Sequence, residues 1–118
     1  MRRFARSVRQ AGKGIDYTLR SERHMRFHLG AAAAVMLSAA LLRLQPTHWA
    51  LLIGACTMVI AAELFNTAIE KTVDLAMPQQ HPLARIAKDA AAGAVLVAAI
   101  GAALIGLLIL GPPLLALF

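Results

Sequence analysis

Cysteine, acidic side chains and charge of either sign are all scarce in this chain of 118 residues. The single cysteine, Cys56, excludes a disulfide framework within the chain and a zinc site built from thiolates. Charged residues make up 15% of the sequence, whereas a typical soluble domain has about 25%. A soluble enzyme with a solvated surface, a coiled coil and a disordered chain are therefore excluded.

Apolar residues make up 59% of the chain and are concentrated in three stretches. A membrane helix needs about 20 mostly apolar residues, and residues 27–44, 49–70 and 90–110 approach that length. We therefore expect one all-α integral membrane domain over residues 1–118, with a transmembrane helix over each range. The segment 45–48, which contains Pro46, is expected to form the first turn, and Pro112 and Pro113 are expected to end the third helix.

Basic residues are concentrated at the N-terminus, where eight of the twelve lie in the first 26 positions of a chain with a formal net charge of +6. An apolar stripe at helical spacing runs among them: Phe4, Val8, Ala11, Ile15 and Leu19. This pattern predicts an amphipathic surface helix over residues 1–26 on anionic lipid headgroups, with His24 and His28 as headgroup contacts. No soluble core remains for a nucleic-acid partner, and a cleaved signal peptide is not expected.

The remaining charges predict the orientation in the membrane. Lys71, Arg85 and Lys88 lie between the second and third apolar stretches, and the turn at residues 45–48 has no lysine or arginine. Because basic loops remain in the cytoplasm, we expect a multi-pass protein with a cytoplasmic N-terminus and a C-terminus outside.

Half of the acidic residues lie in or next to an apolar stretch that is expected to cross the membrane. Of the six in the chain, Glu63, Glu70 and Asp74 lie on the second stretch and its extension. At 100° per residue they share one helix face with Asn66. A carboxylate at membrane depth costs about 2.5–3.5 kcal/mol. The residues leave four explanations open: pairing with arginine or lysine, a cation site, a proton relay, or a magnesium-dependent phosphoryl-transfer site.

Three blocks of sequence resemble the signatures of the small prokaryotic diacylglycerol kinases and undecaprenol kinases. They are residues 21–28 (SERHMRFH), 63–70 (ELFNTAIE, followed by Val73 and Asp74) and 81–89 (HPLARIAKD, followed by GAVL at 93–96). They occur in the expected order and cover nearly the whole chain. The resemblance implies a homotrimeric lipid kinase in the bacterial inner membrane. Such an enzyme transfers the γ-phosphoryl group of ATP to the hydroxyl of a membrane lipid at the cytoplasmic face.

The resemblance also implies roles for individual residues. Glu63 matches the catalytic base that accepts the proton of the lipid hydroxyl, and Asn66 matches a residue that supports the site. Glu22 and Glu70 match the carboxylates that hold Mg²⁺. The positions that match nucleotide-binding residues are Glu22, Glu70, Asp74, His81, Lys88 and Asp89.

The acceptor lipid and one alternative function stay open. Some relatives have a serine after the Ala-Lys-Asp triplet, where this chain has alanine at positions 90–92. Both undecaprenol and diacylglycerol are possible acceptors, and the residues of the three blocks are more similar to those of the undecaprenol kinases. The alternative is a small proton-coupled transporter subunit that uses Glu63. A site in the middle of the membrane has no need of Asp74, Lys88 and Asp89, which favours the kinase.

Overall fold

The chain folds entirely into α-helices. A computed structural model describes residues 1–118 and contains four helices and no strands. The helices are α1 (Arg2–Ser21), α2 (Arg23–Leu41), α3 (Pro46–Ala76) and α4 (Pro82–Leu115). The all-α prediction is confirmed, and α3 and α4 are long and apolar enough to cross a membrane. A crossing by α2 stays a prediction.

The hairpin of α3 and α4 is the frame of the molecule, because these two helices share the most extensive interface. Each begins with a proline in its first turn. Backbone N–H groups in this turn have no partner within the helix, so the absence of one in proline costs no hydrogen bond. His81 caps α4, since its Nδ1 accepts a hydrogen bond of 3.1 Å from the Leu83 N–H. The predicted membrane segments 49–70 and 90–110 both lie within these longer helices.

The helix predicted over residues 1–26 is interrupted at Glu22, which has extended backbone angles (φ −112°, ψ 115°). The Arg26 guanidinium donates hydrogen bonds of 2.9 and 3.0 Å to the carbonyls of Leu19 and Arg20. These carbonyls belong to the last turn of α1, which has no partners for them within the helix. An elbow (residues 21–23) therefore separates α1 from α2, and Arg26 ties the two helices together.

The turn between α2 and α3 lies at residues 42–45 and not at 45–48 as expected. Arg43 adopts a left-handed conformation with φ 52°. The Leu44 N–H bonds to the Ala39 carbonyl and the Arg43 N–H to the Ala40 carbonyl, at 3.2 and 3.3 Å. This is the Schellman pattern that ends a helix. Since α2 already ends there, Pro46 is free to begin α3.

The apolar core lies beside this turn and takes one residue from each of three helices: Ala39, Leu52 and Ile109. Trp49 and Ile105 are half-buried against it. Only 11 of the 118 residues are buried, so most apolar side chains face outwards. Such a surface requires contact with lipid or with further protein chains.

The prediction that Pro112 and Pro113 end the last helix is wrong, because α4 continues to Leu115. Because proline has no backbone N–H, Pro112 and Pro113 cannot donate hydrogen bonds to the carbonyls of Leu108 and Ile109. Their fixed φ is nevertheless close to that of a helix, and the Ala116 N–H bonds back to the Pro112 carbonyl at 3.1 Å. The helix therefore extends past the prolines.

Candidate functional site

Glu63 occupies the middle of α3 and is one of the most deeply buried side chains, with 2% exposed. Its Oε2 lies 3.8 Å from Nε2 of His28 on α2. The neighbouring Thr67 hydroxyl is not a partner of this carboxylate, because it donates to the backbone carbonyl of Glu63 at 3.1 Å. This deeply buried acid therefore has one basic side chain within ion-pair distance, a histidine from another helix.

The interpretation of His28 as a headgroup contact is wrong. Only 16% of its side chain is exposed, because the residue lies on the face of α2 that packs against α3. His24, one turn earlier, is exposed as expected. The position of His28 at the start of an apolar stretch was the one indication in the sequence that it could be buried. The spacing of residues does not reveal which side of α2 faces α3.

Asn66 lies on α3 between Glu63 and Glu70, one turn from each. The Asn66 Nδ2 donates a hydrogen bond of 3.4 Å to Glu70 Oε1. Its Oδ1 is buried and has no hydrogen-bond partner. An unpaired buried amide oxygen costs about 1–3 kcal/mol, so Asn66 Oδ1 is an acceptor that no group within this chain satisfies.

Four of the six acidic side chains have a basic partner within ion-pair distance. These four are Asp16, Glu63, Asp74 and Asp89. The two that remain are Glu22 and Glu70, the predicted metal ligands, and both are half-buried. The Lys71 ammonium lies 5.9 Å from the centre of the Tyr17 ring. This contact brings the end of α1, which leads to Glu22, towards the part of α3 that carries Glu70.

Glu22 and Glu70 have few neighbours that could help them to bind a metal ion. No group of three or more histidine, cysteine or acidic residues in the chain lies close enough together to hold a metal. Mg²⁺ usually takes one or two protein carboxylates and completes its shell with phosphate oxygens and water. Glu22 and Glu70, two carboxylates without ion-pair partners, are of the ligand type and number that such a site uses.

A polar cavity of about 580 Å³ lies at the loop between α3 and α4. The Lys88 ammonium pairs there with the Asp74 carboxylate and joins the two helices. The cavity is also lined by His81 and Arg85. Three of the predicted nucleotide-binding residues, Asp74, His81 and Lys88, therefore share one cavity.

Among the charged residues of α4, the lining of this cavity differs from the predicted set of nucleotide-binding residues at two positions, Asp89 and Arg85. Asp89 is not among the lining residues. Its side chain is 71% exposed and lies 3.8 Å from Arg85 on the same helix. Arg85 was not predicted as a site residue. The signal was its spacing of three residues from Lys88, which places both on one side of α4.

Comparison with known proteins identifies the family. The sequence profile of prokaryotic diacylglycerol kinase matches residues 9–110. The chain is 46% identical over 114 residues to the undecaprenol kinase of Bacillus subtilis, a match covering 97% of this chain and 93% of that protein. It is also 46% identical over 112 residues to the diacylglycerol kinase of Synechocystis, where the match covers 94% of this chain and 64% of the relative.

A third relative, the diacylglycerol kinase of Helicobacter pylori, is 46% identical over 50 residues, which is 42% of this chain and 39% of the relative. None of these matches favours a transporter subunit. The chain belongs to the prokaryotic diacylglycerol kinase family and is a lipid kinase.

Proposed function

We propose that the protein phosphorylates the hydroxyl of undecaprenol, with ATP as the phosphoryl donor, Mg²⁺ as the metal ion and Glu63 as the general base. The observation that carries this proposal is the face of α3 on which buried Glu63 and Asn66 precede the unpaired carboxylate of Glu70. It combines a sheltered base with an accessible metal ligand on one rigid helix.

The choice of undecaprenol over diacylglycerol is supported by the extent of the matches. The Bacillus subtilis undecaprenol kinase is matched over 93% of its length. The Synechocystis diacylglycerol kinase has the same identity but is matched over 64% of its length. Diacylglycerol is the second candidate acceptor, because enzymes of both names are similar to this chain.

The mechanism depends on positioning and charge, since phosphoryl transfer involves little covalent chemistry for the protein. Glu63 Oε2 faces His28, which leaves Oε1 to accept the proton of the lipid hydroxyl. A base must lie within about 2.6–3.2 Å of the atom whose proton it takes. The lipid hydroxyl therefore has to enter beside α3 at the depth of Glu63.

The remaining residues bind the nucleotide and the metal in this proposal. Glu22 and Glu70 hold Mg²⁺, which offsets the negative charge of the phosphates when it is bound. Lys88, paired with Asp74, supplies a positive charge for the phosphates at the mouth of the polar cavity. His81 lines the same cavity, and Asp89 lies one residue beyond Lys88.

We further propose that the enzyme is a homotrimer with three membrane-spanning helices, whose active sites lie between protomers at the cytoplasmic face. The exposed apolar surface of α4 and the unpaired Asn66 Oδ1 support contact with another chain. On α1, Phe4 and Val8 are exposed, as expected for a helix lying on the membrane surface.

The test is a phosphorylation assay with radiolabelled ATP that offers both lipids side by side to the purified, reconstituted protein. We expect labelled undecaprenyl phosphate to form faster than labelled phosphatidic acid, and chelation of Mg²⁺ to stop both reactions. Labelling of neither lipid would contradict the kinase proposal. A faster reaction with diacylglycerol would overturn the choice of acceptor only.

A further inference from the structure

We propose that His28 is a positioning residue that acts through Glu63: its imidazole faces one oxygen of the buried carboxylate and so determines which oxygen is free to meet the lipid hydroxyl. The inference rests on the proposed role of Glu63. It starts from the approach of His28 Nε2 to Glu63 Oε2 at 3.8 Å.

His28 is the only basic side chain within ion-pair distance of Glu63. The other basic residues in such pairs are already matched, with Arg20 on Asp16, Arg85 on Asp89 and Lys88 on Asp74. Water compensates little, because Glu63 is 2% exposed and the His28 side chain 16% exposed. In a low-dielectric setting a buried carboxylate without a partner is costly, so the imidazole of His28 is the side chain placed to stabilise that of Glu63.

The surroundings of His28 restrain its ring. On one side lies the Phe27 ring, in an edge-on contact with 5.6 Å between ring centres. His28 also lines an apolar groove of about 470 Å³ between α2, α3 and α4. Since the groove offers almost no polar partners, the carboxylate of Glu63 is the charged group available to Nε2.

The consequence for the reaction is geometric. A carboxylate has two equivalent oxygens, and a partner on one of them defines the role of the other. Because Oε2 is the oxygen that approaches His28, Oε1 is the oxygen presented for proton transfer. Loss of the partner should therefore lower kcat more than it weakens binding of the nucleotide, whose proposed ligands lie elsewhere.

The first experiment measures turnover in single variants. We expect His28→Leu to lower kcat by about 10- to 100-fold, as when a supporting partner of a reactive group is removed, with the KM for Mg·ATP changed less than about 3-fold. His28→Gln, whose amide can donate to Oε2, should recover most of the loss. The matched control is His24→Leu, one turn earlier on α2, which should turn over normally. Unchanged turnover in His28→Leu would overturn the inference.

The second experiment asks whether His28 works through Glu63. In a Glu63→Gln background, His28→Leu should cause no further loss of turnover, because the group through which it acts is gone. A further loss of similar size would show an independent role and overturn the inference. A fully active Glu63→Gln enzyme would instead remove the proposed general base, so the two failures are distinguishable.

A third readout does not depend on activity. Removing one partner of a buried pair is strongly destabilising, whereas replacing both is often neutral. His28→Leu should therefore lower the Tm of the reconstituted protein by about 5 °C or more, and the double variant with Glu63→Gln should regain most of it. If the Tm of the double variant fell by the sum of the losses in the two single variants, the pairing of His28 with Glu63 would be contradicted.

Discussion

The two halves of α3 bury side chains to a similar degree but of opposite chemistry. The first half (residues 46–60) buries Leu52, Ala55 and Val59. The second half (residues 61–76) buries Glu63, Asn66 and Thr67. The first half packs beside the turn between α2 and α3, and the second approaches the elbow of α1 and the polar cavity. One helix therefore combines a part that stabilises the fold with a part that carries the site.

The difference shows how a membrane protein tolerates a buried acid. The polar half has a carboxylate 3.8 Å from a histidine ring nitrogen and an amide oxygen without a partner, neither of which favours folding strongly. The apolar half supplies close packing across three helices, which is the main attraction between helices in lipid. Substitutions in the polar half should therefore affect activity most, and substitutions in the apolar half should affect stability most.

The largest expected effect is that of Glu63→Gln in the second half. The substitution keeps the size of the side chain and removes the proposed base, so kcat should fall by about 100-fold or more. Helix content and oligomeric state should stay unchanged. The measurement is lipid phosphorylation by protein that has been checked by circular dichroism and size-exclusion chromatography.

A matched control removes one negative charge elsewhere. Asp16→Asn on α1 has the same chemical change at a side chain that is 60% exposed. It should leave turnover within about twofold of the unaltered enzyme. A comparable loss in both variants would indicate a general effect of charge and contradict the role of Glu63.

A smaller effect is expected for Glu70→Gln, which alters the proposed metal ligand one turn beyond Asn66. The Mg²⁺ concentration for half-maximal activity should rise about 10-fold, and excess Mg²⁺ should restore much of the turnover. A titration of activity with Mg²⁺ at fixed ATP measures this shift. An unchanged magnesium requirement would remove Glu70 from the metal site.

The smallest effect on activity is expected for Leu52→Ala in the first half. Leu52 is 2% exposed, and its loss leaves a cavity beside Ala39 and Ile109. The free energy of unfolding should fall by about 2–5 kcal/mol, while kcat below the melting temperature changes less than about twofold. Leu51→Ala, at a neighbour that is 50% exposed, is the control and should cost much less stability. A large loss of kcat in Leu52→Ala would end the separation between the two halves.

Much of this architecture could be predicted from the sequence, because long apolar stretches require helices in a membrane. Residues 49–70 and 90–110 fall inside α3 and α4. The ends of helices were harder to predict, since they depend on local hydrogen bonds. Arg26 closes α1 early, and the cap at Arg43 ends α2 before Pro46.

The candidate site was predictable where it lies on one helix and not where it joins two. The shared face of Glu63, Asn66 and Glu70 follows from helical periodicity alone. The approach of His28 to Glu63 depends on the rotation of α2 about its axis, which periodicity does not determine. The pairing of Lys88 with Asp74 likewise depends on how the loop brings α4 back along α3.

The central claim is that the polar half of α3 performs the chemistry while its apolar half holds the fold. The most direct test is the rate of undecaprenol phosphorylation by Glu63→Gln and Leu52→Ala, purified and reconstituted in the same way. We expect Leu52→Ala to stay within about twofold of the unaltered enzyme and Glu63→Gln to be about 100-fold slower or more. An active Glu63→Gln enzyme beside a folded but inactive Leu52→Ala enzyme would contradict it.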